Sequence, residues 1–320
     1  MFPYLFKIGF FELRVYSLMY IIGLLLTIYF ARKKGEQMGI KPVETENFIL
    51  FTFFFALIGA RMYYVAFRWG YYDGNIMEMA AIWHGGLAIH GGIIAGFMAA
   101  LIFCRYKKIK PLVLGDIVFP FLLLAQGIGR IGNLANGEAH GVPTLTPPSI
   151  IFRMQNVFPE FWAKTLHTAG LQDNPKSVSL LRDIAALKPE GLDVSFHDKI
   201  YHVKEYFPWG MSFTNKYGAP AYRDFGTLPV HPTFIYEMVL NFTGFFILYL
   251  IWRKNENIGK GIIAGGYLIA YGIIRACVTF FRADDLMIGL FRAPHLISAF
   301  MVAAGAGFLI NARISARRKS

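Results

Sequence analysis

The chain has 320 residues, of which 55% are hydrophobic, with a mean hydropathy of +0.44 and a net charge of +12. An ordinary soluble domain is not this apolar, and the hydrophobic residues stand in long blocks, the pattern of membrane spans. The basic excess raises nucleic acid as a partner, but its place at the ends of the apolar blocks argues for membrane topology instead.

In chain order, residues 1–12 are short, aromatic and weakly charged, suited to the membrane interface. They have no basic leader and no small-residue cleavage site, so the first apolar run reads as a retained span. The spacing predicts spans at 13–31, closed by Arg32, Lys33 and Lys34; at 48–67; at 87–104, closed by Arg105, Lys107, Lys108 and Lys110; and at 112–132. A long polar stretch follows to about residue 230. Three more spans are expected at 232–252, closed by Arg253 and Lys254, at 261–281, and at 293–310, followed by Arg313, Arg317, Arg318 and Lys319.

Seven spans put the termini on opposite sides. The basic ends after spans one, three, five and seven then share one face. The positive-inside rule makes that face cytoplasmic and the N-terminus external. The expected fold is an all-α polytopic membrane protein of seven transmembrane helices, with a small external domain between helices four and five. Residues 1–141 carry the first four helices, 142–230 the external domain, and 231–320 the last three helices with a basic tail. A structureless loop of this length is uncommon. Strand-like pieces at 149–153 and 199–207 and a helix-like piece at 176–187 suggest a folded unit. No catalytic motif is found in this stretch, and the chain shows no internal repeat and no low-complexity segment. Cys104 and Cys277 lie in or beside apolar runs without metal-type spacing and read as small buried hydrophobes.

With spans given a direction, most of the costly polar groups fall in the outer half. The densest group is Gly127-Ile-Gly-Arg-Ile-Gly-Asn-Leu-Ala-Asn-Gly-Glu-Ala-His-Gly141. Arg130, Asn133, Asn136 and Glu138 stand there among five glycines, with Arg130 and Asn133 on one helical face. A simple helix end, with Arg130 snorkelling and Gly132 as the stop, is the dull reading, and the density of polar groups speaks against it. Arg61 lies inside span two. His90 lies near the start of span three, and His231, Tyr236 and Glu237 at the start of span five. Tyr271 and Arg275 share a face of span six, with Arg282 extending it. Tyr16 and Tyr236 also suit interfacial anchors, and His231 before Pro232 suits a helix start. Asp116 alone falls near the inner face. His84 and His90 are six residues apart, the wrong spacing for a metal pair on a helix. Arg61, Arg130 and Arg275 outnumber the facing carboxylates Glu138 and Glu237. Surplus cation at one depth calls for an anionic ligand; phosphate suits guanidinium geometry, and a phospholipid head group carries it.

Residues 129–141 are similar to the signature of the prolipoprotein diacylglyceryl transferase family, with Arg130, Gly132, Asn133, Asn136, Gly137, Glu138 and Gly141 in pattern. Tyr16-Ser-Leu-Met-Tyr20, Ile82-Trp-His-Gly-Gly-Leu-Ala-Ile-His-Gly-Gly92, His231-Pro-Thr-Phe-Ile-Tyr-Glu237 and Tyr271-Gly-Ile-Ile-Arg275 resemble other blocks of that family in order. Departures are Ser17 where glycine is frequent, Val230 where a basic residue is frequent, and Thr279 where an acidic residue is common. The resemblance implies a multi-pass enzyme of the bacterial inner membrane, with a periplasmic external domain. It would move the sn-1,2-diacylglyceryl group of phosphatidylglycerol onto the lipobox cysteine thiol of a prolipoprotein signal peptide. A thioether and glycerol 1-phosphate result. The thiol needs a base or positive field and the leaving phosphate needs cations. The resemblance puts His90, Arg130, Arg275 and Tyr271 in the catalytic set, with the proton going to His90 or to a tyrosine, Tyr271 or Tyr16. Tyr16, Arg61, Asn133, Asn136, Glu138, Gly141, His231, Tyr236 and Glu237 would bind or orient substrate. No metal and no organic cofactor is expected. The alternatives from other classes are a transporter of an anionic solute and a non-catalytic phospholipid-binding protein.

Overall fold

The computed structural model describes residues 4–8, 11–72, 74–82, 85–144, 158–168, 170, 192–196, 199–203, 209–213, 218–225, 229–254, 260–282, 287–288 and 291–317. Among them, seven helices are long and apolar enough to cross a membrane. They are α1 (Val15–Gln37), α2 (Pro42–Phe67), α5 (Ile89–Lys107), α6 (Pro111–Asn136), α9 (Thr233–Lys254), α10 (Ile262–Thr279) and α11 (Ala293–Arg317). All seven expected spans are present. The helices differ from them chiefly in length: α2 begins at Pro42, α6 runs on to Asn136, and α1 carries Arg32, Lys33 and Lys34 inside the helix, where cations complement the C-terminal dipole. Short helices α3 (Trp69–Tyr72) and α4 (Ile76–Ala80) fill the link between α2 and α5. The aromatic N-terminal segment forms a hairpin, β1 (Tyr4–Ile8) with β2 (Phe11–Arg14), which the sequence reading missed.

Between α6 and α9 stand α7 (Phe158–Thr168), the antiparallel pair β3 (Leu192–Phe196) and β4 (Lys199–Val203), and α8 (Pro220–Phe225). The strand expected at 199–207 is met by β4 over its first part. The pieces expected at 149–153 and 176–187 lie outside the described residues. A last small hairpin, β5 (Met287–Ile288) with β6 (Phe291–Arg292), precedes α11.

The chain packs as two compact units. One comprises residues 1–24, 122–248 and 265–307, the other residues 25–121, 249–264 and 308–320. In the second, α2 and α5 pack along their length through small residues, which let backbones approach closely. A Cβ at Gly91 would strike the Gly59 carbonyl, and one at Gly96 would lie 3.2 Å from Ala56 Cβ. Farther along, Phe48 packs on Phe103 at 5.5 Å, and Lys107 pairs with Glu44 at 3.1 Å. In the same unit the Asp116 carboxylate, wholly buried, accepts from Gly261 N at 2.9 Å and Ala264 N at 2.8 Å. It caps the N-terminus of α10, where free amides and the helix dipole favour an anion. That is the physical reason for the carboxylate that stood apart from the other polar groups.

Candidate active site

The signature begins on α6. That helix does not stop at Gly132; it runs on to Asn136. Gly132 is required there by contact, since a Cβ would lie 2.9 Å from Tyr16 Cα. The stop comes at Gly137, with φ +68°, where Glu138 N donates to Asn133 O at 3.0 Å and Gly137 N to Leu134 O at 3.4 Å. Those two bonds and the left-handed residue between them make a Schellman cap.

Beyond the cap, four chain segments are knitted together by backbone bonds. Gly141 N donates to His231 O at 2.8 Å, His231 N to Val142 O at 2.9 Å, and Val142 N to Phe281 O at 2.9 Å. Thr144 N donates to Pro229 O at 2.9 Å, and Met211 and Val230 exchange a pair of bonds. The Thr233 hydroxyl donates to Ala139 O. Gly141 stands at the centre: a Cβ would meet Phe281 O and, at 2.6 Å, His231 Cβ. The start of α9 and the segment after α10 are thus fixed to the end of α6. Arg282 bridges Gly141 through its backbone.

This scaffold brings the charged side chains of three helices together. Arg130 Nη2 donates to Glu237 Oε1, and Arg130 Nη1 donates to Asn133 Oδ1 at 2.8 Å. Arg275 Nη1 lies 3.9 Å from Glu237 Oε2. Glu237 is 1% exposed, so one buried carboxylate is shared by two guanidiniums. Arg130 Nε is buried and has no hydrogen-bond partner among the described residues. Tyr271 lies in the field of Glu237, Arg275 and Arg130, and Tyr16 in that of Arg130 and Glu138. Tyr16 OH is 3.0 Å from Tyr20 OH, and Asn136 Nδ2 donates to Glu138 Oε1 at 3.4 Å. Thr279 does not replace the absent carboxylate; its hydroxyl bonds the Arg275 carbonyl at 2.7 Å, one turn back on α10.

At the rim, Trp209 Nε1 donates to Tyr236 OH at 2.7 Å, and Tyr236 OH is 3.1 Å from His231 Nδ1. Tyr236 is therefore more than an isolated anchor. Burial pushes the His231 imidazole down to about 4.

Arg61 and His90 belong to the other unit. Arg61 is 6% exposed and donates from Nη2 to Glu78 O at 2.7 Å, from Nε to Met79 O at 2.9 Å, and from Nη1 to Gly85 O and to Gly86 O, the last at 3.0 Å. The buried cation finds carbonyls where the sequence reading sought an anion. His90 stands in the first turn of α5 with an exposed side chain, 6.2 Å from the Tyr63 ring. His84 lies outside the described residues.

The sequence reading passed over Gln126, Asn241 and Tyr267. Gln126 precedes Arg130 by four residues, Asn241 follows Glu237 by four, and Tyr267 precedes Tyr271 by four. That i,i+4 spacing was the available signal. Gln126 Nε2 donates to Tyr267 OH at 3.2 Å.

Seven apolar helices, three of which join a buried carboxylate to two guanidiniums and an amide, define a polytopic membrane protein with a polar site among those three. Residues 3–311 match the model of the prolipoprotein diacylglyceryl transferase family, and the chain belongs to that family. A phosphatidylglycerol–prolipoprotein diacylglyceryl transferase of Fusobacterium nucleatum is 40% identical over 307 residues, covering 96% of each chain. Proteins of the same name from Staphylococcus haemolyticus and Streptococcus mutans are 31% and 30% identical, covering 98% and 95% of this chain and 88% and 92% of their own. The chain is a transferase of this family, and neither the transporter nor the non-catalytic binder is favoured.

Proposed function

We propose that the chain transfers the sn-1,2-diacylglyceryl group of phosphatidylglycerol to a prolipoprotein lipobox cysteine, with Arg130 and Arg275 holding the phosphate. The observation that carries this reading is the single buried carboxylate of Glu237 between two guanidiniums, which alone cannot offset the charge of both. In the reaction the cysteine sulfur attacks glycerol C3, the C–O bond breaks, and its electron pair leaves on the oxygen of glycerol 1-phosphate. Negative charge grows on that oxygen in the transition state, and guanidiniums stabilise it. Glu237 and Asn133 keep the Arg130 fork oriented before lipid arrives. Tyr271, Tyr16, Asn136 and Glu138 border the same cluster and orient lipid. Gly141, His231 and Tyr236 hold the rim.

The thiol proton is assigned to His90, whose exposed imidazole at the start of α5 supports the role. Tyr271 and Tyr16 are the alternatives. The basic ends of α1, α5, α9 and α11 support a cytoplasmic C-terminus and an external N-terminus, hence a site toward the outer leaflet of the bacterial inner membrane. Residues 142–230 are then periplasmic.

Purified protein, phosphatidylglycerol and a lipobox peptide should give a peptide heavier by one diacylglyceryl group, together with glycerol 1-phosphate. Absence of both products removes the reading. His90→Gln cannot act as a base near neutral pH. A selenocysteine peptide, already ionised there, should partly rescue His90→Gln and should not rescue Arg130→Gln. Equal impairment with both peptides moves the proton step to a tyrosine.

A further inference from the structure

A second polar layer lies one helical turn from the charged one. Gln126 on α6, Asn241 on α9 and Tyr267 on α10 stand four residues from Arg130, Glu237 and Tyr271, on the same helical faces. Helices α6 and α10 run toward the knitted segments at Gly141, His231 and Phe281, and α9 runs away from them. All three offsets therefore point the same way, away from those segments, by one turn of about 5.4 Å. The hydrogen bond from Gln126 to Tyr267 joins α6 and α10 in this layer. Helix α9 arrives at the same level, because a Cβ at Gly127 would lie 2.6 Å from the Phe242 ring.

The layer is neutral where its neighbour is charged. Asn241 is wholly buried, and neither atom of its amide has a hydrogen-bond partner among the described residues; Oε1 of Gln126 has none either. A buried amide left unmatched costs about 1–3 kcal/mol, and apolar side chains of the same size would pack there without that cost. Gln126 and Arg130, on one face of α6, are half-buried where Asn241 is wholly buried.

We propose that this neutral layer binds the ester carbonyls of the diacylglyceryl group, an inference that rests on phosphate being held by Arg130 and Arg275. In a glycerophospholipid the esters follow the phosphate by a few bonds along the glycerol, and the acyl chains follow the esters. An ester carbonyl is a neutral acceptor, and the carboxamide NH2 of Asn241 is a neutral donor suited to it. Asn241 and Gln126 select lipids with ester-linked chains, and their order relative to the arginines sets which end of the glycerol meets the reacting thiol.

The test compares dioleoyl phosphatidylglycerol with its diether analogue, which lacks only the two carbonyl oxygens. Binding is read by native mass spectrometry of the whole protein in detergent, and transfer by peptide mass. Wild type should bind the diester about tenfold more tightly than the diether, as expected where buried donors lose their acceptor. Asn241→Leu, close in size, should lose that preference by weakening diester binding and leaving diether binding unchanged. Gln126→Met, at a half-buried position, provides a second variant should Asn241→Leu not fold. Equal binding of both lipids by wild type, or equal loss of both in the variants, overturns the proposal. Because binding is read separately, failure of transfer with the preference intact would count against the transferase reading alone.

Discussion

At the scale of single residues, the arginines divide by what their donors meet. Arg130 and Arg275 share a carboxylate, whereas Arg61 is spent on four backbone carbonyls. Lysine keeps the charge but not the planar fork. Arg130→Lys and Arg275→Lys should each lower kcat/KM by about 10²–10³-fold with protein levels in the membrane unchanged, the loss expected for an oriented charge donor. Near-normal turnover in either would make that arginine structural. Arg61→Lys tests the opposite role. A single ammonium cannot reach the carbonyls of Glu78, Met79, Gly85 and Gly86 together, so the α4–α5 link should loosen. The expected result is a lowered unfolding temperature with KM for phosphatidylglycerol within about twofold of wild type, since uniform substrate binding is untouched. A large rise in KM alone would return Arg61 to the lipid site.

At the scale of elements, the site depends on helix ends and helix contacts far more than on helix propensity. Helix α10 carries Tyr271 and Arg275, and its N-terminus is capped by Asp116 from α6. Asp116→Ala removes two charge-assisted bonds from a buried end and should cost about 3 kcal/mol or more, read as lowered thermal stability in detergent. Gly132→Ala should act through packing. Its added methyl meets Tyr16 Cα at 2.9 Å, which is backbone and cannot swing aside. Overpacking of this kind costs about 1–3 kcal/mol, and here it would displace the start of α1 and with it the Tyr16 hydroxyl. An unchanged melting temperature in Gly132→Ala would show that the α1–α6 contact yields easily.

For the whole molecule, orientation and pH response are the measurable quantities. With Cys104 and Cys277 replaced by serine, an impermeant thiol reagent should label Asp193→Cys from outside intact cells and leave Lys108→Cys unlabelled. Labelling of the second would invert the topology. His231 is buried at the junction of the knitted segments with its pKa depressed to about 4, against about 6.5 for the unfolded chain. The neutral ring contributes its full stability above pH 6.5. That contribution shrinks as the pH falls from 6.5 toward 4, because the unfolded chain then binds a proton that the folded one refuses. Unfolding temperature should fall across this window, and His231→Gln should flatten the slope. An equal slope in the variant would assign the pH response to other groups.

Much of this protein is decided locally and so is legible in the chain. A span needs only some twenty apolar residues in sequence, and all seven follow from that rule. The signature residues lie within fifteen positions of one another, and Arg130 with Asn133 follows from helical spacing alone. What the chain could not give are the partners of buried charge, because they come from distant segments. Arg61 and Arg130 are both arginines inside or at the end of a span, and the residues around each do not name its distant partner. Only folding brings four carbonyls to one and Glu237, 107 residues away, to the other. Gly132 reads as a helix stop until Tyr16 is found against it, and Asp116 as a stray anion until the amides of α10 arrive. The neutral layer of Gln126, Asn241 and Tyr267 stayed hidden for the same reason. An amide in a span is unremarkable by itself and becomes a site only when three helices align their faces at one level.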